Sequence, residues 1–199
     1  MRTLITALAG LSVLAACSQP QTDVSAGDWT IIESESSLSF VTVKNGDVDE
    51  THELSGISGF ANALGSVHIA LEMDSVETFI DIRNERIREH LFQTADHPIA
   101  VISASYDLAA LEDMAVGASR DDELPITLTM REIPLDLVAP VRITRLDTDR
   151  VRVESAQPVE VNALALELMD GIDTLQELAG LDSITREVPV SFVIEFQRG

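Results

Sequence analysis

The residues with the most chemical potential are four histidines, His52, His68, His90 and His97, a single cysteine, Cys17, and the charged run Arg83-Asn84-Glu85-Arg86-Ile87-Arg88-Glu89-His90-Leu91-Phe92. No two histidines stand as His-x-x-x-His, and no Cys-x-x-Cys accompanies them, so the spacing of a metal centre is missing. His90 and His97, the latter beside Asp96, could meet a metal, yet they read more simply as a helix-turn residue and the residue before Pro98 at a strand entrance. A Gly-x-Ser-x-Gly elbow is absent, and no carboxylate pair stands out from so many acids. The expectation is a binding protein rather than an enzyme, with no required cofactor and no metal. The charged run leaves two readings open. It is a solvated helix, held by weak ion pairs, whose Ile87, Leu91 and Phe92 close over an apolar interior. Or it also supplies Arg83 or Arg86 to the polar head of an amphiphile held inside.

The 199 residues suffice for one sizeable domain. Thirteen basic residues against 34 acidic ones give a net charge of −21, and Lys44 is the only lysine. So acidic a chain repels phosphate backbones, which excludes nucleic acid as a natural partner. The charge gives no hint of oligomeric state.

Residues 1–16 differ from the rest, with one positive charge at Arg2 and an apolar run from Leu4, as in a secretory signal peptide. The run closes on Leu14-Ala15-Ala16-Cys17. These four residues resemble the lipobox of bacterial lipoproteins, which implies a Cys17 carrying palmitate-type acyl chains and anchored in a membrane. The plainer alternative is an ordinary signal peptide with a chance cysteine. Ser18 resembles the sorting residue of outer-membrane lipoproteins, so the expected location is the periplasmic side of the envelope, on the outer membrane. A polar tether follows the cysteine, which puts linker at 17–27 and one folded domain at 28–199.

Inside that domain apolar residues alternate with period two, as in half-buried strands. Eight runs carry the pattern: Ser37 to Lys44, Leu54 to Ala61, Val67 to Met73, Ala100 to Leu108, Leu124 to Met130, Leu135 to Thr144, Arg150 to Ser155 and Val188 to Phe196. Eight short strands with turns between them predict an all-β antiparallel barrel or sandwich. Pro134 and Pro140 predict an irregular or edge-like part in their strand. Arg120, Asp121 and Asp122 with the following Glu123 and Leu124 read as a solvated hairpin turn. Two stretches have helical spacing instead, Asn84 to Phe92 and Asp170 to Ala179, the second ending at Gly180. Both are too short to stand alone and must pack over the sheet or over one mouth of a barrel.

Three segments, "DWTIIESESSLSFVTV", "GISGFANALGSVHIALEMDSVET" and "IRNERIREHLFQTADHPIAVISAS", followed by "LTM" and the closing "VPVSFVIEF", resemble the YceI-like family in content and order. The resemblance spans nearly all of Trp29 to Phe196. It implies an extended, eight-stranded, lipocalin-like barrel of the periplasm or envelope that binds an isoprenoid, a quinone tail or a similar amphiphilic lipid for carriage or sequestration. The chain departs from the family at Arg131-Glu132, where a small residue and glycine are common, and at a longer, more helical "MDGIDTLQELAG".

An eight-stranded barrel is wide enough either to be filled by its own side chains or to hold one slender ligand. Aromatic residues are only 4% of the chain, and Gly56, Ser58, Gly59, Ala100 and Ala104 are small. An open lumen would be lined by Phe40, Phe60, Ile69 and Leu71 early in the chain. Arg83, Arg86, Ile87, Leu91 and Phe92 would line it from the helical segment. Ile102, Ala104, Leu128, Met130, Phe192 and Ile194 would complete it from later strands. The alternatives are a solid barrel used as a protein-interaction module and, less favoured, a histidine-dependent metalloenzyme.

Overall fold

Alternating side chains set each strand's two faces, and the pairing of the strands carries the sheet round to closure. The computed structural model describes residues 28–199, so the expected signal peptide 1–16 and the Cys17 linker 17–27 lie outside the described residues. The strands are β1 (Trp29–Ile31), β2 (Ser37–Lys44), β3 (Val48–Leu54), β4 (Ile57–Ala61), β5 (Ser66–Glu72) and β6 (Val76–Glu77). They continue with β7 (Ile99–Ser105), β8 (Ser119–Met130), β9 (Ile133–Arg145), β10 (Arg150–Ser155), β11 (Val159–Asn162) and β12 (Glu187–Arg198). Pairing runs β1-β4-β5-β7-β8-β9-β10-β12, and β12 returns to β1, which makes a closed ring of eight antiparallel strands. Closure removes the exposed sheet edge.

One end of the ring is prolonged. The long β12 pairs β1 and then β2 on one side, and β10 and then β11 on the other. β2 pairs β3 throughout, from Leu38 against Leu54 to Lys44 against Val48, and β6 pairs β3 in turn. These pieces lengthen the tube beyond the ring, as the extended barrel requires.

Two expected features moved. Arg120, Asp121 and Asp122 lie inside β8 rather than in a turn, since each has a register partner on β9. Arg142 sits opposite Asp121 and reaches it with two hydrogen bonds of 2.7 and 2.9 Å, so charge here pairs across strands. The strand run expected to reach Leu108 stops at Ser105, because Asp107 accepts from Ala109 N at 3.0 Å and caps helix α1 (Leu108–Glu112). β9 pairs β10 only over Val141–Arg145, so Pro134 lies where β9 has a single partner, and Pro140 stands at the end of the β10 pairing, where its carbonyl accepts from Ala156 N at 2.8 Å. At the β8–β9 hairpin, Arg131 (φ 49°) and Glu132 (φ 66°) both take the left-handed conformation that a two-residue loop demands and that glycine would adopt more easily.

A cap of two helical pieces covers the extended end. Asp81–Arg86 is α-helical and runs directly into one wide π turn, Ile87–Phe92. Asn84 fixes its start: its Oδ1 accepts from Thr78 N at 2.8 Å and from Thr78 Oγ1 at 2.6 Å, and its Nδ2 donates to Glu77 at 2.9 Å. The second piece, α2 (Met169–Ala179), stops at Gly180 with φ 63°. It crosses the π turn at Gly171, where even a Cβ would come within 2.6 Å of the His90 carbonyl oxygen. Arg86 Nη1 donates to the Leu178 carbonyl at 3.3 Å, joining the first piece to the C-terminal turn of the second.

On the outer face of β12, Glu195 is 1% exposed and is held by Arg150 and by Arg152, whose Nη2 and Nε lie 2.6 and 2.9 Å from Oε1. This ion group braces the wall and does not face the lumen, because its neighbours Ile194 and Phe196 point inward.

Candidate functional site: a two-chambered lumen

The barrel is not solid. Its extended half encloses a cavity of about 430 Å³, and the ringed half encloses a second of about 120 Å³. Protein interiors pack to crystal-like density with few voids larger than a water, so a cavity in the size range of ligand sites is a feature in its own right. Leu38, Leu71, Ile102, Ile126 and Phe192 border both chambers and form the waist between them.

Most of the residues expected from the sequence to line a lumen meet here. Phe40, Arg83, Arg86, Ile87, Leu91, Phe92, Leu128 and Met130 border the large chamber. Leu71, Ile102 and Phe192 stand at the waist, and Ile69, Ala104 and Ile194 border the small chamber. Phe60 is the exception. Gly59 sits opposite the lumen-facing Ile69, so Phe60, paired with His68, faces outward and packs its ring 5.4 Å from that histidine. His90 and His97 do not converge with other ligands, and among the described residues no three His, Cys, Asp or Glu side chains are grouped as a metal site.

The floor of the lumen is made entirely of apolar side chains with Tyr106 at its border, but the upper wall is not uniform. Thr42 and Lys44 from β2, Glu50 and His52 from β3, and Arg83 from the cap all face the large chamber. Lys44 Nζ and Arg83 Nη1 converge on one oxygen, Glu50 Oε2, at 2.6 and 2.5 Å. Arg83 Nη2 donates to the Thr78 carbonyl at 2.6 Å. Burial pushes the Glu50 carboxyl up, but its two cationic partners outweigh that and hold it below the ordinary range. Two residues deeper along β3, His52 is 3% exposed, with its ring 5.1 Å from Phe40 and Nε2 2.8 Å from Thr42 Oγ1. Burial, reinforced by Arg83 and Lys44 against an opposing pull from Glu50, lowers its pKa to about 4, so the ring is neutral near pH 7.

This polar cluster escaped the reading of the sequence, apart from Arg83. β3 is "VDETHEL", whose inward positions Glu50 and His52 are polar, so its period-two apolar signal vanishes. One clue was present. Asn45-Gly46 is a strong hairpin signal, and both residues take positive φ, 54° and 81°. A strand returning from that turn against Ser37–Lys44 brings Glu50 and His52 to the face shared by Phe40 and Thr42.

The arrangement offers a dry tube for a slender apolar chain, with one hydrogen-bonding station near its mouth. A solved structure described as a polyisoprenoid binding domain from Saccharophagus degradans, implicated in plant cell wall breakdown, is 33% identical and covers 86% of this chain and 98% of its own, with a TM-score of 0.84. BcnA of Burkholderia cenocepacia shares the fold at 14% identity, covering 83% of this chain and 98% of its own, with a TM-score of 0.63. No curated protein sequence matches the chain. The YceI-like domain model matches residues 29–196, from the first strand of the barrel to the last, and the chain belongs to that family.

Proposed function

We propose that this chain is a lipid-binding protein without catalytic activity that holds an isoprenoid, or an amphiphile with a similarly slender tail, inside its barrel. The observation that carries the reading is the pair of chambers of about 430 and 120 Å³ in series, apolar along almost all of their walls. Each square ångström of tail surface withdrawn from water contributes about 25 cal/mol, which favours filling such a space with an apolar chain. The description of the relative at 33% identity supports an isoprenoid as that chain. Cys17, with its lipobox-like approach, supports a lipid anchor on the periplasmic side of the envelope, and Ser18 supports the outer membrane. A tethered barrel that takes up single lipids suits carriage or sequestration between membranes.

The test is a titration of delipidated protein, preloaded with an apolar fluorescent probe, with a polyprenol. The reading expects saturable displacement at one chain per protein. A probe that stays bound at saturating polyprenol would contradict it.

A further inference from the structure

The polar cluster in the upper wall contains more hydrogen-bonding capacity than the fold uses. Lys44 and Arg83 share one carboxylate oxygen of Glu50, and Arg83 Nη2 is taken by the Thr78 carbonyl. His52 Nε2 is taken by Thr42. Two atoms are then left over: His52 Nδ1 and Arg83 Nε are buried and have no hydrogen-bond partner among the described residues. Buried polar atoms are almost always paired, and leaving one unpaired destabilises the fold, so each asks what its partner is. His52 borders the cavity and is 3% exposed, which leaves the lumen as the source of that partner.

We propose that His52, with Thr42 behind it and Arg83 beside the mouth, forms a head-group station for a neutral oxygen, a hydroxyl or a carbonyl, and that the lumen therefore prefers a lipid so terminated over a bare hydrocarbon. This rests on the proposed lipid-binding function and adds the chemistry of the ligand's polar end. Glu50 engages both cations of the cluster, so its three groups are paired with one another and carry one positive charge in excess. A phosphate would have to lie beside Glu50 and compete with it for the same two partners. His52, held neutral by burial and by its cationic neighbours, offers a hydrogen bond and no charge. The Thr42 hydroxyl can donate to Nε2 or accept from it, so Nδ1 can present either a donor or a lone pair. A ligand hydroxyl satisfies both tautomers, and a carbonyl satisfies the donor one. From that station the apolar tail would point along the large chamber toward the waist at Leu71, Ile102 and Phe192, on whose other side the small chamber lies.

The experiment compares three probes of equal chain length on delipidated full-length protein: geranylgeraniol, geranylgeranyl phosphate, and the corresponding hydrocarbon. Competition with a fluorescent apolar probe gives each affinity. The alcohol should bind about tenfold more tightly than the hydrocarbon, the worth of one well-made neutral hydrogen bond. In His52→Phe the ratio of alcohol to hydrocarbon affinity should fall to about one. Thr42→Val, which leaves the imidazole but removes its support, should lower that ratio severalfold and serves if His52→Phe does not fold. Equal binding of alcohol and hydrocarbon to the natural chain would overturn the head-group station and leave the lumen reading standing. A phosphate that binds more tightly than the alcohol, by a margin that His52→Phe leaves unchanged, would overturn it too, by making the cations the anchor. Binding of none of the three would remove the lumen reading itself.

Discussion

Gly171 lies against the His90 carbonyl so closely that an added Cβ would be 2.6 Å from that oxygen and 2.9 Å from the Leu91 Cα. The two helical pieces of the cap thus meet at a point where only glycine fits. Leu91 and Ile172, on either side of this crossing, both border the large chamber, so the separation of the pieces bears on how the lumen is closed. Gly171→Val should push them apart. The expected cost is about 1–3 kcal/mol, the usual penalty for overpacking, read as a lowered midpoint in urea. Release of a bound apolar probe should also quicken. An unchanged midpoint and release rate would mean that the cap does not depend on this contact.

The His52 environment predicts a specific dependence on pH. Its pKa is about 4 in the folded chain against 6.5 for the ordinary side chain, so between those values the unfolded chain binds the extra proton. The stability it contributes is complete above about pH 6.5 and is lost as the pH falls through the folded value. The loss between pH 7 and pH 5 should be about 2 kcal/mol. Glu50 and Asp121, whose carboxyls are held low, lose their contributions only at more acid pH, so they do not mask this window. Urea unfolding at the two pH values should show the drop in the natural chain and a much smaller one in His52→Phe. Equal drops would assign the effect elsewhere.

Ala104 borders the small chamber of about 120 Å³, beyond the waist. Ala104→Trp should fill that chamber while the large one stays open. Uptake of a short prenyl chain should then persist, and the longest chain accepted should become shorter. Measuring affinity across a series of chain lengths distinguishes this from a general loss of binding, which would mean that the two chambers do not act in series.

Much of this was legible beforehand, for a physical reason. Strands such as Ser66–Glu72 and Glu187–Arg198 bury one face, so Val67, Ile69 and Leu71, or Val190, Phe192 and Ile194, recur at every second position. The two cap helices announced themselves equally well, through the spacing of Ile87 and Leu91 and through Gly180. What escaped was β3, whose inward face carries Glu50 and His52 for reasons other than core packing. Sequence rules fail where a fold gives up apolar packing for a polar site, and the failure here coincides with a polar stretch of the lumen wall. Phe60 was misplaced because aromatic character alone does not reveal which face of a strand it occupies; the pairing of Gly59 with Ile69 does.

The proposed anchor rests on Cys17. Cys17→Ser should move the protein from the membrane fraction to the soluble periplasmic fraction, as judged by fractionation and by loss of the acylated mass. Unchanged retention in the membrane would contradict lipidation at this residue.

The central claim is that the lumen holds a slender apolar chain in the cell. Native mass spectrometry of protein purified without detergent tests it most directly, because a bound lipid adds its own mass to the folded chain and can be identified after release. The account predicts a single added mass per protein belonging to a lipid with a long prenyl-like tail, diminished when the lumen is filled by Ala104→Trp together with Ile126→Trp. Protein that is repeatedly lipid-free, with the same mass in the natural and filled forms, would contradict it.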